Sequence, residues 1–101
     1  MAPRSFLIDD VLNDYLVAHT TPADEVQRSL IETTQALGDI SGMQIAVDQG
    51  NLLTLLVRIV GARRAVEVGT FTGYSALCLA RALPDDGHLL CCDVSEEWTA
   101  I

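Results

Sequence analysis

The stretch Val66-Glu67-Val68-Gly69-Thr70-Phe71-Thr72-Gly73-Tyr74-Ser75 decides the fold. Its opening, with Ala65, is a short β-branched run of strand type. Gly69 to Gly73 is a tight loop. From Tyr74 to Leu83 the period changes to that of a helix, with Ala76, Leu77, Leu79, Ala80 and Leu83 facing inward. Pro84-Asp85-Asp86-Gly87 is a strong turn signal. His88-Leu89-Leu90-Cys91-Cys92 reads as a second strand, apolar enough to be buried on both faces, and it ends at Asp93. Strand, helix and strand joined by short turns make a right-handed parallel βαβ unit. Ser95 caps a last helix, with Glu96 and Glu97 in its first turn and Trp98 and Ile101 opening its apolar face.

Three helices are predicted upstream. Asp9 to His19 carries Ile8, Val11, Leu12, Tyr15 and Leu16 at helical spacing. A second helix runs from Pro22 to Leu37, with Thr21 as N-cap, Pro22 at the first helical position and Gly38 as the stop. Its stripe is Val26, Leu30, Ile31, Thr34 and Leu37. After the loop Asp39–Gln44, a third helix extends from Asp48 to Val60 and is closed by Gly61. It is apolar nearly all round, which predicts burial against a sheet or between subunits. The fold class is therefore α/β: N-terminal helices, then the first βαβ unit of an incomplete Rossmann-like sheet. The organisation is a helical arm over residues 1–42 and the opening of a ligand-binding domain over 43–101.

The 101 residues carry 14 acidic and 6 basic side chains, a net charge of −8, and are 50% apolar. That is one globular domain at most. The charge repels phosphate backbones and argues against nucleic acid as a partner. No apolar run approaches the roughly 18 residues of a membrane span. The start, Met1 to Ile8, does not have the pattern of a signal peptide. Cys78, Cys91 and Cys92 form neither a disulfide framework nor a C-x-x-C metal motif, so they read as buried free thiols of a cytoplasmic protein. All six basic residues are Arg, which leaves no lysine to act as a base.

A βαβ unit with glycines after its first strand is the plan of a nucleotide site at the carboxyl ends of parallel strands. Gly69 and Gly73 permit sharp turns and close approach. The helix start at Tyr74 and Ser75 offers N–H groups to an anion. Asp93 can accept from both hydroxyls of a ribose. A dinucleotide site wants a small residue where Phe71 stands, and Glu67 would be unhelpful beside a pyrophosphate. Glu67 suits a cationic group instead. S-adenosylmethionine, with an ammonium, a sulfonium, a carboxylate and a ribose but no phosphate, matches that demand.

The sequence closely resembles the class I S-adenosylmethionine-dependent O-methyltransferases of the caffeoyl-CoA and catechol type. The resemblance rests on Ser41-Gly42-Met43-Gln44, Asp48-Gln49-Gly50-Asn51-Leu52-Leu53, the block from Val66 to Ser75, Leu83-Pro84-Asp85-Asp86-Gly87 and Asp93. It implies that Val47 meets the methionine part of the cofactor through its backbone. Glu67 would hold the ammonium or its bridging water, Gly69 and Thr70 would line the cofactor with backbone atoms, Ser75 would bind the carboxylate, and Asp93 would take the ribose hydroxyls. Met43 and Gln44 would sit toward the methyl group and acceptor, although a Met such as Met43 is more often core filler.

The family mechanism also implies a divalent metal and a base in the intact protein. Their positions fall after the second strand, beyond Ile101, so no metal ligand and no catalytic base is assigned within this chain. The acceptor implied is a small phenol or catechol, and the assembly a homodimer. Two other readings stay open: a non-catalytic fragment keeping a cofactor pocket or dimer surface, and, less compatible with Phe71, a nicotinamide dehydrogenase.

Overall fold

A computed structural model of the chain describes residues 7–101. The expectation about a signal peptide at Met1 to Ile8 falls largely outside them. Five helices and two strands follow in order: α1 (Asp10–His19), α2 (Glu25–Gln35), a 3-10 turn (Gly38–Met43), α3 (Val47–Ile59), β1 (Arg64–Val68), α4 (Tyr74–Ala82), β2 (His88–Cys92) and α5 (Glu96–Thr99). β1 and β2 pair in parallel, with Glu67 opposite Cys91 and Val68 opposite Cys92. The Gly69 N–H continues the ladder to the Cys92 carbonyl at 2.8 Å. The predicted βαβ unit is thus present.

Parallel pairing has a consequence for the site. Both strands end at the same edge, so the glycine loop after β1 and Asp93 after β2 become neighbours. They are 22 residues apart in sequence, and the crossover helix α4 is what closes that distance.

The core sits between the arm and the crossover. Ile31 of α2 packs with Tyr74 and Cys78 of α4, and Ala23, Leu30, Ile45 and Val47 close around them. α3 lies along α4, and Gly50 makes the approach possible. A Cβ there would stand 2.8 Å from Cys78 Sγ and 3.0 Å from Tyr74 Cε1. Thr54 Oγ1 donates to the Cys78 carbonyl across the same contact at 3.0 Å.

Several expectations need correction. α2 begins at Glu25, not Pro22. Its N-cap is Asp24, whose side chain accepts from the Gln27 N–H while the Gln27 side chain accepts from the Asp24 N–H, at 2.9 Å each. This reciprocal box satisfies two helix-end donors at once, which Thr21 ahead of Pro22 does not. Buried Gln27 replaces exposed Val26 in the inward stripe. In α4 the buried residues are Tyr74 and Cys78, and Ala80 faces outward.

Burial is also less than the sequence implied. On α3 only Gly50 is buried, and Leu52, Leu55, Leu56 and Ile59 are exposed. The strands are not buried on both faces: Val66, Val68 and Leu90 are 66%, 84% and 60% exposed. Apolar strands of this kind presuppose a second layer, and the described residues supply only one. For the same reason Cys91 and Cys92 are exposed, and only Cys78 is the buried thiol expected.

Candidate functional site

The loop after β1 turns on three residues in the left-handed region: Gly69 at φ 88°, Phe71 at 53° and Gly73 at 101°. The glycines adopt it at no steric cost. The turn closes with the Gly73 N–H on the Thr70 carbonyl at 3.1 Å. Gly73 also starts α4 without a side-chain cap, so the first N–H groups of that helix, including those of Tyr74 and Ser75, keep their donor capacity. Ala46 likewise leaves the start of α3, at Val47, without a side-chain cap.

Glu67 is the acidic residue of the site. It lies half-buried in β1, and Ser75 Oγ donates to its Oε2 at 2.5 Å. Its other oxygen, Oε1, is buried and has no partner. A carboxylate oxygen shut away from water without a donor is costly, and a ligand ammonium would supply the missing one. The Ser75 hydroxyl is thereby committed to Glu67. A ligand carboxylate at this helix start would meet the Ser75 backbone N–H instead.

Asp93 stands at the end of β2 and receives two backbone donors. Phe71 N–H gives to Oδ2 at 2.7 Å and Ser95 N–H to Oδ1 at 3.0 Å. These bonds, that from Phe71 foremost, hold its carboxyl below the usual aspartate value. The group is ionised at neutral pH, and each oxygen has a lone pair left for a diol.

Met43, Val68, Gly69, Phe71, Cys92, Asp93, Val94 and Trp98 enclose a concavity of about 460 Å³. The structure therefore brings Gly69, Asp93 and Met43 to one cavity, and the Ser75 bond places Glu67 at the start of the adjoining helix. Thr70 is buried, with its hydroxyl unpartnered. The Val47 side chain packs into the core, so only its backbone can serve a ligand.

Gln44 does not line the cavity. It is buried, and its Nε2 donates at 3.1 Å to Thr34 Oγ1, which pairs in turn with Thr72 Oγ1 at 2.8 Å. This network ties α2 to the glycine loop. It was not read from the sequence, where Thr34 and Thr72 are 38 residues apart. Phe71 and Trp98 were also missed as cavity residues; the position of Trp98 in the short helix after Asp93 was the one available cue.

A larger cavity, about 610 Å³, lies between the α1–α2 link and α3 and α4. Several of its polar groups satisfy one another: Arg81 pairs with Asp24 at 2.5 Å, and Asn51 Nδ2 donates to Thr20 Oγ1 at 2.7 Å and to the Thr21 carbonyl at 2.8 Å. It lacks the unpartnered groups found around the glycine loop. Among the described residues no three His, Cys, Asp or Glu side chains come together as a metal site.

A family profile described as O-methyltransferase matches residues 18–101. Caffeoyl-CoA O-methyltransferase of Populus kitakamiensis is 36% identical over 93 residues, which cover 89% of this chain and 40% of that protein. Tapetum-specific methyltransferase 1 of Arabidopsis thaliana is 35% identical over 96 residues, 92% of this chain and 41% of that protein. Among solved structures, the O-methyltransferase TomG of Streptomyces achromogenes, in complex with S-adenosylmethionine, superposes with a TM-score of 0.81 at 33% identity. That match covers 89% of this chain and 40% of TomG. An O-methyltransferase of Bacillus cereus in complex with S-adenosylhomocysteine gives 0.77 at 31% identity, covering 86% of this chain and 39% of the other. The chain thus spans about two fifths of the length of these relatives. Within that span, the profile match, the shared Rossmann-like fold and the glycine loop agree: the chain belongs to the O-methyltransferase family.

Proposed function

We propose that the protein transfers a methyl group from S-adenosylmethionine to a hydroxyl of a small phenolic or catechol-like acceptor. The observation that carries this reading is the orphaned, buried Oε1 of Glu67 beside the glycine loop. It asks for a cation where a dinucleotide would bring phosphate. When bound, S-adenosylmethionine supplies a sulfonium methyl that an acceptor oxygen would take by in-line displacement, forming a C–O bond as the C–S bond breaks, with S-adenosylhomocysteine as the leaving group and the hydroxyl proton released to solvent.

The chain's own contribution is to bind and orient. Glu67 holds the ammonium. The backbone N–H groups that open α4 receive the carboxylate, and Gly69 and Thr70 line the site. Asp93 takes the ribose hydroxyls. Met43, half-exposed at the cavity rim, faces the acceptor side. Alignment of donor and acceptor is the main source of rate in such a reaction. A divalent metal would need ligands other than a cluster of the described residues.

We further propose a homodimer, on the exposed Leu52, Leu55, Leu56 and Ile59 of α3. A cytoplasmic setting is proposed on the exposed free thiols of Cys91 and Cys92. The net charge of −8 disfavours nucleic acid as a partner, and no described helix is long and apolar enough to cross a membrane.

Titration calorimetry with S-adenosylmethionine and with NADH, followed by methyl-transfer assays on catechols and caffeoyl-CoA, tests the proposal. Micromolar binding of S-adenosylmethionine with methylated product is the expected result. Binding of NADH alone would sink it. A second reading is a cofactor-binding unit without catalysis; binding without methyl transfer would select it.

A further inference from the structure

We propose that Trp98 is a positioning residue for the ribose-binding carboxylate: its indole braces Phe71 in a left-handed backbone conformation, from which the Phe71 N–H orients Asp93. This rests on the reading of Asp93 as the group that accepts from the ribose.

Phe71 is the sole non-glycine residue with positive φ among those described, at 53°. A bulky side chain adopts this region only where its surroundings impose it. Here the ring is buried, and it meets the Trp98 ring edge-to-face with centroids 5.2 Å apart and planes at 78°. That geometry is the attractive one for two aromatic rings. The conformation aims the Phe71 N–H at Asp93 Oδ2, 2.7 Å away.

The contacts form a closed circuit. Asp93 Oδ1 accepts from the Ser95 N–H at 3.0 Å. Ser95 Oγ in turn accepts from the Trp98 N–H at 3.2 Å, capping the short helix that carries the indole. The indole then returns to Phe71. Each member fixes the next, and Asp93 contributes two carboxylate oxygens, each with one backbone donor and a lone pair to spare. Trp98 lines the same cavity as Asp93, so brace and carboxylate are set on one wall.

Two measurements test the proposal. The first needs no ligand: amide hydrogen exchange by NMR in the wild-type protein, Trp98→Ala and Trp98→Phe. Loss of protection at the Phe71 amide is expected in Trp98→Ala, with protection at Gly69 kept and partial recovery in Trp98→Phe. The second compares S-adenosylhomocysteine with its 2′,3′-dideoxy analogue by calorimetry. The wild type should prefer the hydroxylated ligand by about tenfold or more, Trp98→Ala should lose most of that preference, and Trp98→Phe should restore part of it.

Unchanged protection at Phe71 in Trp98→Ala would overturn the brace. So would an unchanged preference for the diol. If Trp98→Ala does not fold, Trp98→Phe decides: weaker Phe71 protection with intact Gly69 protection supports the proposal, and wild-type protection overturns it. Failure of the wild type to bind either ligand would instead defeat the cofactor reading, while the exchange experiment would still report on the brace.

Discussion

The helices of this chain start in two ways. α1, α2 and α5 are closed by their own side chains: Asp9 accepts from the Leu12 N–H, Asp24 from Gln27 and Ser95 from Trp98. α3 and α4 start at Ala46 and Gly73 with no side-chain cap. The capped helices settle their end groups locally, which favours stability. The uncapped ones begin at Val47 and beside Ser75, two of the positions proposed to meet the cofactor. On the proposed reading, donors left open there are stability forgone for ligand capacity. α3 is held by close packing at Gly50 instead of by a cap.

Four experiments can break or sharpen this contrast. Glu67→Gln should weaken S-adenosylmethionine binding about 100-fold, since a charged hydrogen bond to the ammonium is lost. The ligand-free protein should keep or gain stability, because a carboxylate with one buried, unpartnered oxygen is replaced by a neutral amide; equal affinity in the variant, by calorimetry, would refute the role. Gly50→Ala should lower stability by about 2 kcal/mol through overpacking against Cys78 and Tyr74, read by denaturant unfolding, and an unchanged midpoint would show that packing does not anchor α3.

Ala46→Ser should then supply the cap that α3 lacks. Stability is expected to rise by about 0.5–1 kcal/mol, while cofactor affinity falls a few-fold because the new hydroxyl competes for the first N–H groups. A gain in both would show that those donors do not serve the ligand. Asp24→Ala should lower the thermal midpoint and leave affinity unaltered. The Asp24 carboxyl is held below its ordinary 3.8, first by the Gln27 N–H and then by Arg81. Its contribution is therefore complete above that pH and lost as pH falls through the lowered value. The gap between wild type and variant should close in that acid window, and a gap that persists would exclude ionisation of Asp24 as its source.

Much of this was legible in the chain. Val66 to Ser75 announces strand, loop and helix because the hydrophobic period changes inside it, and Ser95 announces a cap. The start of α2 was misplaced because Thr21-Pro22 and Asp24-to-Gln27 are both credible openings, and only the reciprocal bonding of the second decides. Burial of Val66, Val68 and Leu90 was overestimated because an apolar strand tells what it needs to be covered by, not whether the cover is there. The resemblance sets Gln44 beside Met43 toward the acceptor, but neighbouring side chains diverge, and its partner Thr34 is fixed only by folding. The left-handed Phe71 had no local signal at all, since such backbone is normally marked by glycine or asparagine.

The bond from Phe71 to Asp93 also concerns time. It spans 22 residues and cannot form until α4 has packed and laid β2 beside β1. Local capping such as that at Asp24 can arise early, whereas contacts between distant parts of the chain wait for loop closure. The Phe71–Asp93 end of the site, where the ribose is proposed to bind, is thus among the last parts to assemble. A ligand gripping it would find little to hold in the folding transition state, so it should slow unfolding and leave refolding unaltered. Stopped-flow traces with and without S-adenosylhomocysteine would show this, and a faster refolding limb would mean that the site forms early after all.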